Sequence, residues 1–271
     1  MPTRIQQRWK ELRDSGDKAL IAFVMAGDPD LPKSAEIVLA LAEAGVDIIE
    51  IGVPFSEPIA DGPVIQRAGG RAIRKGAYLP AILDLVKEIR LRSQIPLVVF
   101  SYLNPILRYG FERFAADSVA SGVDGVLVTD LSVEEAGNYV AEMRRAGLDT
   151  IFLAAPTSTD ERLKKVAEFS TGFVYAVSRT GTTGAQDALS SAIGPLLRRL
   201  RNFTSLPIAA GFGVSRPEHL TELAPLADGV VVGSALVRCI EEHPDDPAPH
   251  AAEFARWLRQ GFKPKDSVSS R

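Results

Sequence analysis

The stretch VDIIEIGVPFSEPIADGP, residues 46–63, decides how the rest of this chain is interpreted. Its first half is rich in β-branched apolar residues, which is typical of a strand buried on both faces. Glu50 interrupts that run, and an unpaired carboxylate in a buried strand is costly unless it stays protonated. Glu50 is therefore either a core residue paired with a distant Lys or Arg, or a functional acid. Its place at a strand end, before a proline-rich loop that carries Asp61, favours the functional interpretation.

Length and composition exclude several classes of protein. The 271 residues suit a single α/β barrel, and 46% of them are apolar, as expected for a large core. A net charge of -3 gives no electrostatic footprint for nucleic acid or an anionic membrane, and no apolar run could span a bilayer. The single cysteine, Cys239, cannot form an internal disulfide, which favours a reduced, cytoplasmic location. The three histidines all come late in the chain, far from the acidic loop, which argues against metal chemistry and a Ser-His-Asp triad.

Strand-like apolar runs alternate with helical patterns eight times. The predicted strands are residues 19–28, the start of 46–63, 96–101, 125–129, 150–155, 173–178, 207–212 and 229–233. This alternation predicts an α/β fold, a single (β/α)8 TIM barrel over residues 1–271, with short extra helices after strands 2 and 8. An open doubly wound sheet competes, but it usually has fewer strands and a Gly-x-Gly-x-x-Gly turn after the first, which is absent here.

The two ends of the chain carry their own predictions. Ile5, Trp9 and Leu12 recur at helical spacing, which predicts an extra N-terminal amphipathic helix lying against the body. The start has no apolar core of a secretory signal. The polar tail, residues 263–271, is expected to fray. After strand 3 we predict a loop with Tyr102, Asn104 and Pro105.

In a TIM barrel the active site lies at the carboxyl ends of the strands. Aromatic and aliphatic residues at those ends suit a flat, apolar ligand, and we take the following as substrate-binding candidates: Phe23, Phe100, Tyr102, Thr129, Leu153, Tyr175, Thr183 and Phe212. Glycines follow the last strands, and Gly213, Gly233 and Ser234 match the phosphate site that barrels build from these two loops. Gly184 could add another backbone N–H. Each glycine alone is more often a turn residue, so the prediction depends on their joint placement.

Glu50 and Asp61 are the acid–base candidates. Burial should raise the pKa of Glu50 so that it holds a proton near neutral pH, while Asp61 should stay ionised in its loop. The alternative for Asp61 is an Asx-turn before Gly62. Glu57 and Asp28 are interpreted as solvated or turn-forming.

These residues carry a resemblance to a known family. The segments ALIAFVMAGDPD, IEIGVPFSEPIADGPVIQRA, FLAAPTSTDERLKKVAE, SRTGTTGA, AAGFGV and VVGSALV occur in order over residues 4–262, and together they resemble the tryptophan synthase alpha subunit. The resemblance implies a carbon–carbon lyase that cleaves indole-3-glycerol phosphate to indole and glyceraldehyde 3-phosphate by a retro-aldol reaction. It implies that Glu50 donates the proton to indole C3 and that Asp61 holds the ring N–H. No metal or cofactor is implied in this chain.

The resemblance also implies a partner and the remaining site residues. The partner is a tryptophan synthase beta subunit that binds pyridoxal phosphate, in an alpha-beta-beta-alpha complex. Tyr175 and Thr183 match positions near the substrate, Phe212 matches the indole pocket, and Gly184, Gly213, Gly233 and Ser234 match the phosphate cradle. Glu57 and Thr182 depart from the family pattern, at the partner loop and in the strand-6 loop. Three alternatives stay open: a stand-alone indole-releasing lyase, an idle barrel kept as an allosteric partner, and another sugar-phosphate isomerase or epimerase.

Overall fold

The strands of the computed structural model close into one parallel barrel in chain order, with β8 beside β1. The structure describes residues 2–177, 193–211 and 213–262. The strands are β1 (Ala19–Met25), β2 (Ile48–Gly52), β3 (Leu97–Ser101), β4 (Gly125–Val128), β5 (Asp149–Ala154), β6 (Val174–Val177), β7 (Ile208–Gly211) and β8 (Gly229–Val232). The predicted TIM barrel is therefore confirmed, and the predicted tail at 263–271 lies outside the described residues.

Helices alternate with the strands and pack around the barrel. They are α1 (Arg4–Ser15), α2 (Leu31–Glu43), α3 (Pro63–Arg74), α4 (Leu79–Arg90), α5 (Leu103–Tyr109), α6 (Phe111–Ser121), α7 (Gly137–Ala146), α8 (Asp160–Phe169), α9 (Ile193–Arg201), α10 (Pro217–Leu223), α11 (Ser234–Glu242) and α12 (Pro247–Arg259), then a 3-10 turn (Gln260–Phe262). The extra helices predicted at the N-terminus and after strands 2 and 8 are all present, as α1, as α3 with α4, and as α11 with α12.

The loop predicted after strand 3 is wrong, because that segment forms helix α5. Pro105 lies in the first turn, where a backbone N–H has no partner within the helix and is not missed. The N–H of Leu103 donates a hydrogen bond of 2.7 Å to the carboxylate of Asp130, which lies after the next strand, β4. This cap comes from a residue 27 positions away, so the local sequence does not reveal it.

Helix α1 closes the amino end of the barrel. Its Ile5, Trp9 and Leu12 are buried in one cluster with the inward-facing residues of the strands. Two glycines make room for it, since a Cβ on Gly125 would lie 2.8 Å from Ile5 and one on Gly229 would lie 2.7 Å from Trp9. Because the amino end is filled in this way, the opposite end is the one left to receive a ligand.

A repeated hydrogen bond ties neighbouring strands together at the amino end. The polar residue before an even-numbered strand accepts the N–H of a residue at the start of the preceding odd-numbered strand: Asp47 from Leu20 at 2.7 Å, Asp124 from Leu97 at 2.9 Å, Thr171 from Thr150 at 3.0 Å and Asp228 from Ile208 at 2.7 Å. Buried strand ends need such partners because their backbone donors have no access to water. The barrel is therefore braced at the end away from the predicted site.

Candidate active site

Glu50 lies at an inward-facing position of β2. It alternates with Ile49 and Ile51, which pack in the outer core between strands and helices, and it is in register with Phe23 of β1 and Val98 of β3. Its side chain is fully buried, and neither carboxylate oxygen has a hydrogen-bond partner among the described residues. Burial raises the pKa of Glu50 from 4.5 to about 8. The described part of the chain thus offers no Lys or Arg partner, and the carboxyl group holds its proton at neutral pH.

Asp61 lies in the loop between β2 and α3 and is only 9% exposed. Burial raises the pKa of Asp61 to about 6, against the hydrogen bond with the Tyr102 hydroxyl, which lowers it. At pH 7 the ionised form therefore dominates by about ten to one. The sequence led us to expect an ionised Asp61 in a polar loop, whereas its titration lies closer to neutral pH because the loop packs down onto the barrel.

Tyr102 has a second role that the sequence did not reveal. We predicted it only as a residue lining the substrate pocket. Its hydroxyl also accepts the backbone N–H of Ala60 at 2.9 Å, next to its bond with Asp61. Tyr102 thus ties the acidic loop to the end of β3, and a contact spanning about forty residues leaves no local sequence signal.

Among the described residues, most side chains around Glu50 near the carboxyl ends of the strands are apolar. The rings of Phe23 and Phe100 meet edge to face, with centroids 5.1 Å apart. Gly52 lets the Phe23 ring lie across β2, since a Cβ there would come within 2.5 Å of it. Leu153 and Tyr175 lie on the neighbouring inward positions of β5 and β6.

Two polar groups are also buried near these strand ends, those of Tyr175 and Thr129. Burial raises the pKa of the Tyr175 hydroxyl well above its usual range, and the nearby Glu50 adds to that shift. The hydroxyl oxygen of Thr129 is buried, with no partner in the described part of the chain. The walls therefore combine apolar rings with a few convergent polar atoms, as in other small-molecule sites.

Three of the four predicted phosphate residues, Gly213, Gly233 and Ser234, lie at the ends of two adjacent strands. Gly213 follows β7 with φ of 33°, in the region that favours glycine. Gly233 immediately precedes α11, and Ser234 is the first residue of that helix, so the free N–H groups of its first turn lie at the carboxyl end of the barrel. Thr183, Gly184 and Phe212 lie outside the described residues.

Asp28 was interpreted as solvated or turn-forming, and only the second alternative is confirmed. Its backbone N–H closes a turn on the carbonyl of Met25 at 3.2 Å, but its side chain is 3% exposed and its two oxygens accept hydrogen bonds from Arg71 at 2.7 and 2.8 Å. Glu57, in contrast, is exposed as predicted. In the part of the chain that the structure describes, no three His, Cys, Asp or Glu side chains gather as a metal site would need, and no helix is long and apolar enough to cross a membrane.

A closed parallel barrel that holds one carboxyl group on the inner face of β2, and a second of different pKa in the loop after that strand, is typical of acid–base enzymes of the TIM-barrel class. The family model for the tryptophan synthase alpha chain matches residues 9–264. A tryptophan synthase alpha chain from Solibacter usitatus is 52% identical over 262 residues, covering 96% of this chain and 98% of that one; another, from Geotalea uraniireducens, is 46% identical with the same coverage. The chain therefore belongs to the tryptophan synthase alpha chain family, whose reaction is the cleavage of indole-3-glycerol phosphate to indole and glyceraldehyde 3-phosphate.

Solved structures agree with this assignment. Tryptophan synthase from Mycobacterium tuberculosis superimposes with a TM-score of 0.90 at 39% identity, covering 97% of this chain and 100% of that one. The alpha subunit from Legionella pneumophila gives a TM-score of 0.90 at 32% identity, with 97% and 99% covered. A tryptophan synthase complex from Pyrococcus furiosus gives 0.83 at 42% identity, with 89% and 97% covered.

Proposed function

We propose that Glu50 is the general acid and Asp61 the charged anchor of this cleavage. Glu50 donates its proton to C3 of the indole ring, which turns the ring into an electron sink. The carboxylate of Asp61 accepts the ring N–H and stabilises the positive charge that develops on it. The C–C bond to the side chain then breaks as the side-chain hydroxyl loses its proton, which Glu50, now ionised, can accept. The observation that carries this proposal is the full burial of Glu50 without a partner among the described residues.

The two ends of the substrate fit the two halves of the site. The indole ring would lie against Phe23 and Phe100 in the apolar slot, with Thr129, Leu153 and Tyr175 on the other side. The phosphate would lie against the backbone N–H groups of Gly213, Gly233 and Ser234, where the helix dipole of α11 favours negative charge. Indole released by the purified chain from indole-3-glycerol phosphate, and its absence with a substrate analogue lacking the phosphate, tests the proposal.

The phosphate cradle gives a prediction of its own. Replacing Gly213 with Val is expected to raise the Michaelis constant for indole-3-glycerol phosphate at least tenfold, because the side chain would occupy the space in which the phosphate approaches the backbone. Steady-state kinetics measure this effect, and the inhibition constant of inorganic phosphate should rise in parallel. Indole itself, which lacks the phosphate, should inhibit the variant and the parent equally. An unchanged Michaelis constant would show that Gly213 does not contact the phosphate.

The partner is a tryptophan synthase beta subunit, and we place its docking surface on the carboxyl-end face of the barrel. A groove there is lined by residues 53–56, 78–80, 104–105 and 108–109. Large apolar side chains stand exposed around it: Ile59 at 79%, Tyr78 at 61% and Leu107 at 51%. Such a patch beside an active-site mouth is typical of a protein interface. Pyridoxal phosphate would belong to the partner, and the alpha-beta-beta-alpha complex would be cytoplasmic.

Replacing Leu107 with Asp is expected to weaken binding of the beta subunit at least tenfold, since it places a charge in the apolar part of the proposed interface. The dissociation constant from calorimetry, with the stimulation of indole release by the partner, measures this. Leu91 provides the matched control, because it is 85% exposed and follows α4 at the opposite end of the barrel. Leu91→Asp should bind the partner normally. Equal affinity of both variants for the beta subunit would show that the interface lies elsewhere on the chain.

A further inference from the structure

A network of ion pairs beside the site takes no part in the acid–base chemistry. Arg71 donates from Nε and Nη2 to the two oxygens of Asp28, and from Nη1 to Oε1 of Glu241 at 2.6 Å. Arg67 donates to both oxygens of the same Glu241, at 2.9 and 2.7 Å. Asp28 is buried, so Arg71 supplies the compensation that its charge requires.

The network joins the two helices that hold opposite ends of the site. Helix α3 carries Arg71 and begins two residues after Asp61. Helix α11 carries Glu241 near its carboxyl end and begins at Ser234, in the proposed phosphate cradle. Asp28 adds a third attachment, in the loop that follows β1. One guanidinium group therefore connects the aspartate loop, the phosphate helix and the strand that carries Phe23.

Helix α3 has a particular need for such an attachment. Gly69 and Gly70 lie in its middle, and each glycine weakens a helix relative to alanine. The capping position before Pro63 is occupied by Gly62, which has no side chain to cap the first turn. The position of α3 thus depends more on tertiary contacts than on its own helical stability. Arg67 and Arg71 both make bidentate contacts from this helix, but among its described residues Arg71 is the one that joins it to two separate acids.

We propose that Arg71 is a positioning residue for Asp61, and that its bond to Glu241 fixes the distance between the aspartate loop and the phosphate-binding end of α11. The substrate is rigid at its indole end and anchored at its phosphate end. Its ring N–H meets the Asp61 carboxylate only when the two helices keep their spacing. A displacement of about 1 Å at a reacting group can lower a rate by roughly a hundredfold, so a modest shift of α3 is enough to matter. This inference rests on the proposed role of Asp61.

Glu241→Gln is the variant that tests it, because the amide keeps the shape of the side chain while it removes the charge on α11 that both Arg71 and Arg67 bind. The matched control is Arg67→Gln, since Arg67 binds the same carboxylate but is 53% exposed and makes no bond to Asp28. Arg71→Lys is a second test, because a lysine keeps the charge but cannot form the fork that reaches both acids. All three are measured as full chains with indole-3-glycerol phosphate.

We expect Glu241→Gln and Arg71→Lys to lower kcat roughly tenfold or more, while the inhibition constant of inorganic phosphate changes less than about twofold. Looser packing should also expose Asp61, so the acid limb of the kcat profile should move to lower pH. A residue that only stabilised the fold would change neither the kcat of the folded enzyme nor the position of the acid limb of the kcat profile. Arg67→Gln should keep both kcat and the limb.

Two results would overturn the inference: an unchanged kcat and acid limb in Glu241→Gln, or an equal loss of kcat in Arg67→Gln. If Arg71→Lys does not fold, Glu241→Gln alone decides. Failure of the proposed function looks different, because Asp61→Asn would then remain active. An inactive Asp61→Asn beside a normal Glu241→Gln would refute only the positioning role of Arg71.

Discussion

Replacing Glu50 with Gln is expected to lower the rate of indole formation by roughly 10²–10⁴-fold, the usual contribution of a positioned general acid. This corresponds to about 3–5 kcal/mol of barrier. The amide preserves the shape of the side chain but has no proton acidic enough to transfer to the indole ring. Single-turnover release of indole, measured with and without the beta subunit, checks the prediction. Turnover above about a tenth of the parent rate would contradict the assigned role.

Glu50→Gln should also raise the free energy of unfolding, relative to the parent chain, at neutral and alkaline pH. The pKa of Glu50 is about 8 in the folded chain against an ordinary 4.5, so between these values the folded state binds a proton that the unfolded state has lost. Stability therefore falls as the pH rises through this window. The advantage of Glu50→Gln over the parent should grow by on the order of 2–3 kcal/mol between pH 4.5 and pH 7. Denaturant unfolding at several pH values measures it, and a stable but inactive variant excludes misfolding as the cause.

Replacing Asp61 with Asn is expected to lower turnover by roughly 10²–10³-fold, because it removes the negative charge opposite the indole N–H. In the parent, activity should fall as the pH drops through about 6, where Asp61 becomes protonated, and fall again above about 8, where Glu50 loses its proton. The asparagine variant should lose the acid limb. A variant within about twofold of the parent would contradict the role of Asp61.

Tyr102→Phe is the matched control for Asp61. It leaves the carboxylate in place but removes the hydroxyl bond that lowers the pKa of Asp61. That pKa should therefore rise, and the acid limb should move to higher pH with a smaller loss of rate than in Asp61→Asn. An acid limb that does not move would show that the hydroxyl has no influence on Asp61.

Much of the site could be predicted because strand residues alternate between two faces. Phe23, Glu50 and Phe100 each fall on the inward face. The register places Phe23 beside Glu50, and Phe100 lies one inward position further along β3, where its ring contacts Phe23. The burial of Glu50 followed from the β-branched residues around it. Helix α5 was missed because its cap is not local. The capping carboxylate belongs to Asp130, which is brought near Leu103 only when the barrel closes.

The sequence by itself determined the barrel, its inward and outward faces and the identity of the buried acid, because each depends on local periodicity and on residues adjacent in the chain. Tertiary structure alone decided how deeply Asp61 is buried, which hydroxyl supports it and how Arg71 joins Asp28 to Glu241. Those properties depend on the distance between segments that lie tens to hundreds of residues apart. Such distances are fixed only when the barrel closes and its helices pack, so no local pattern records them.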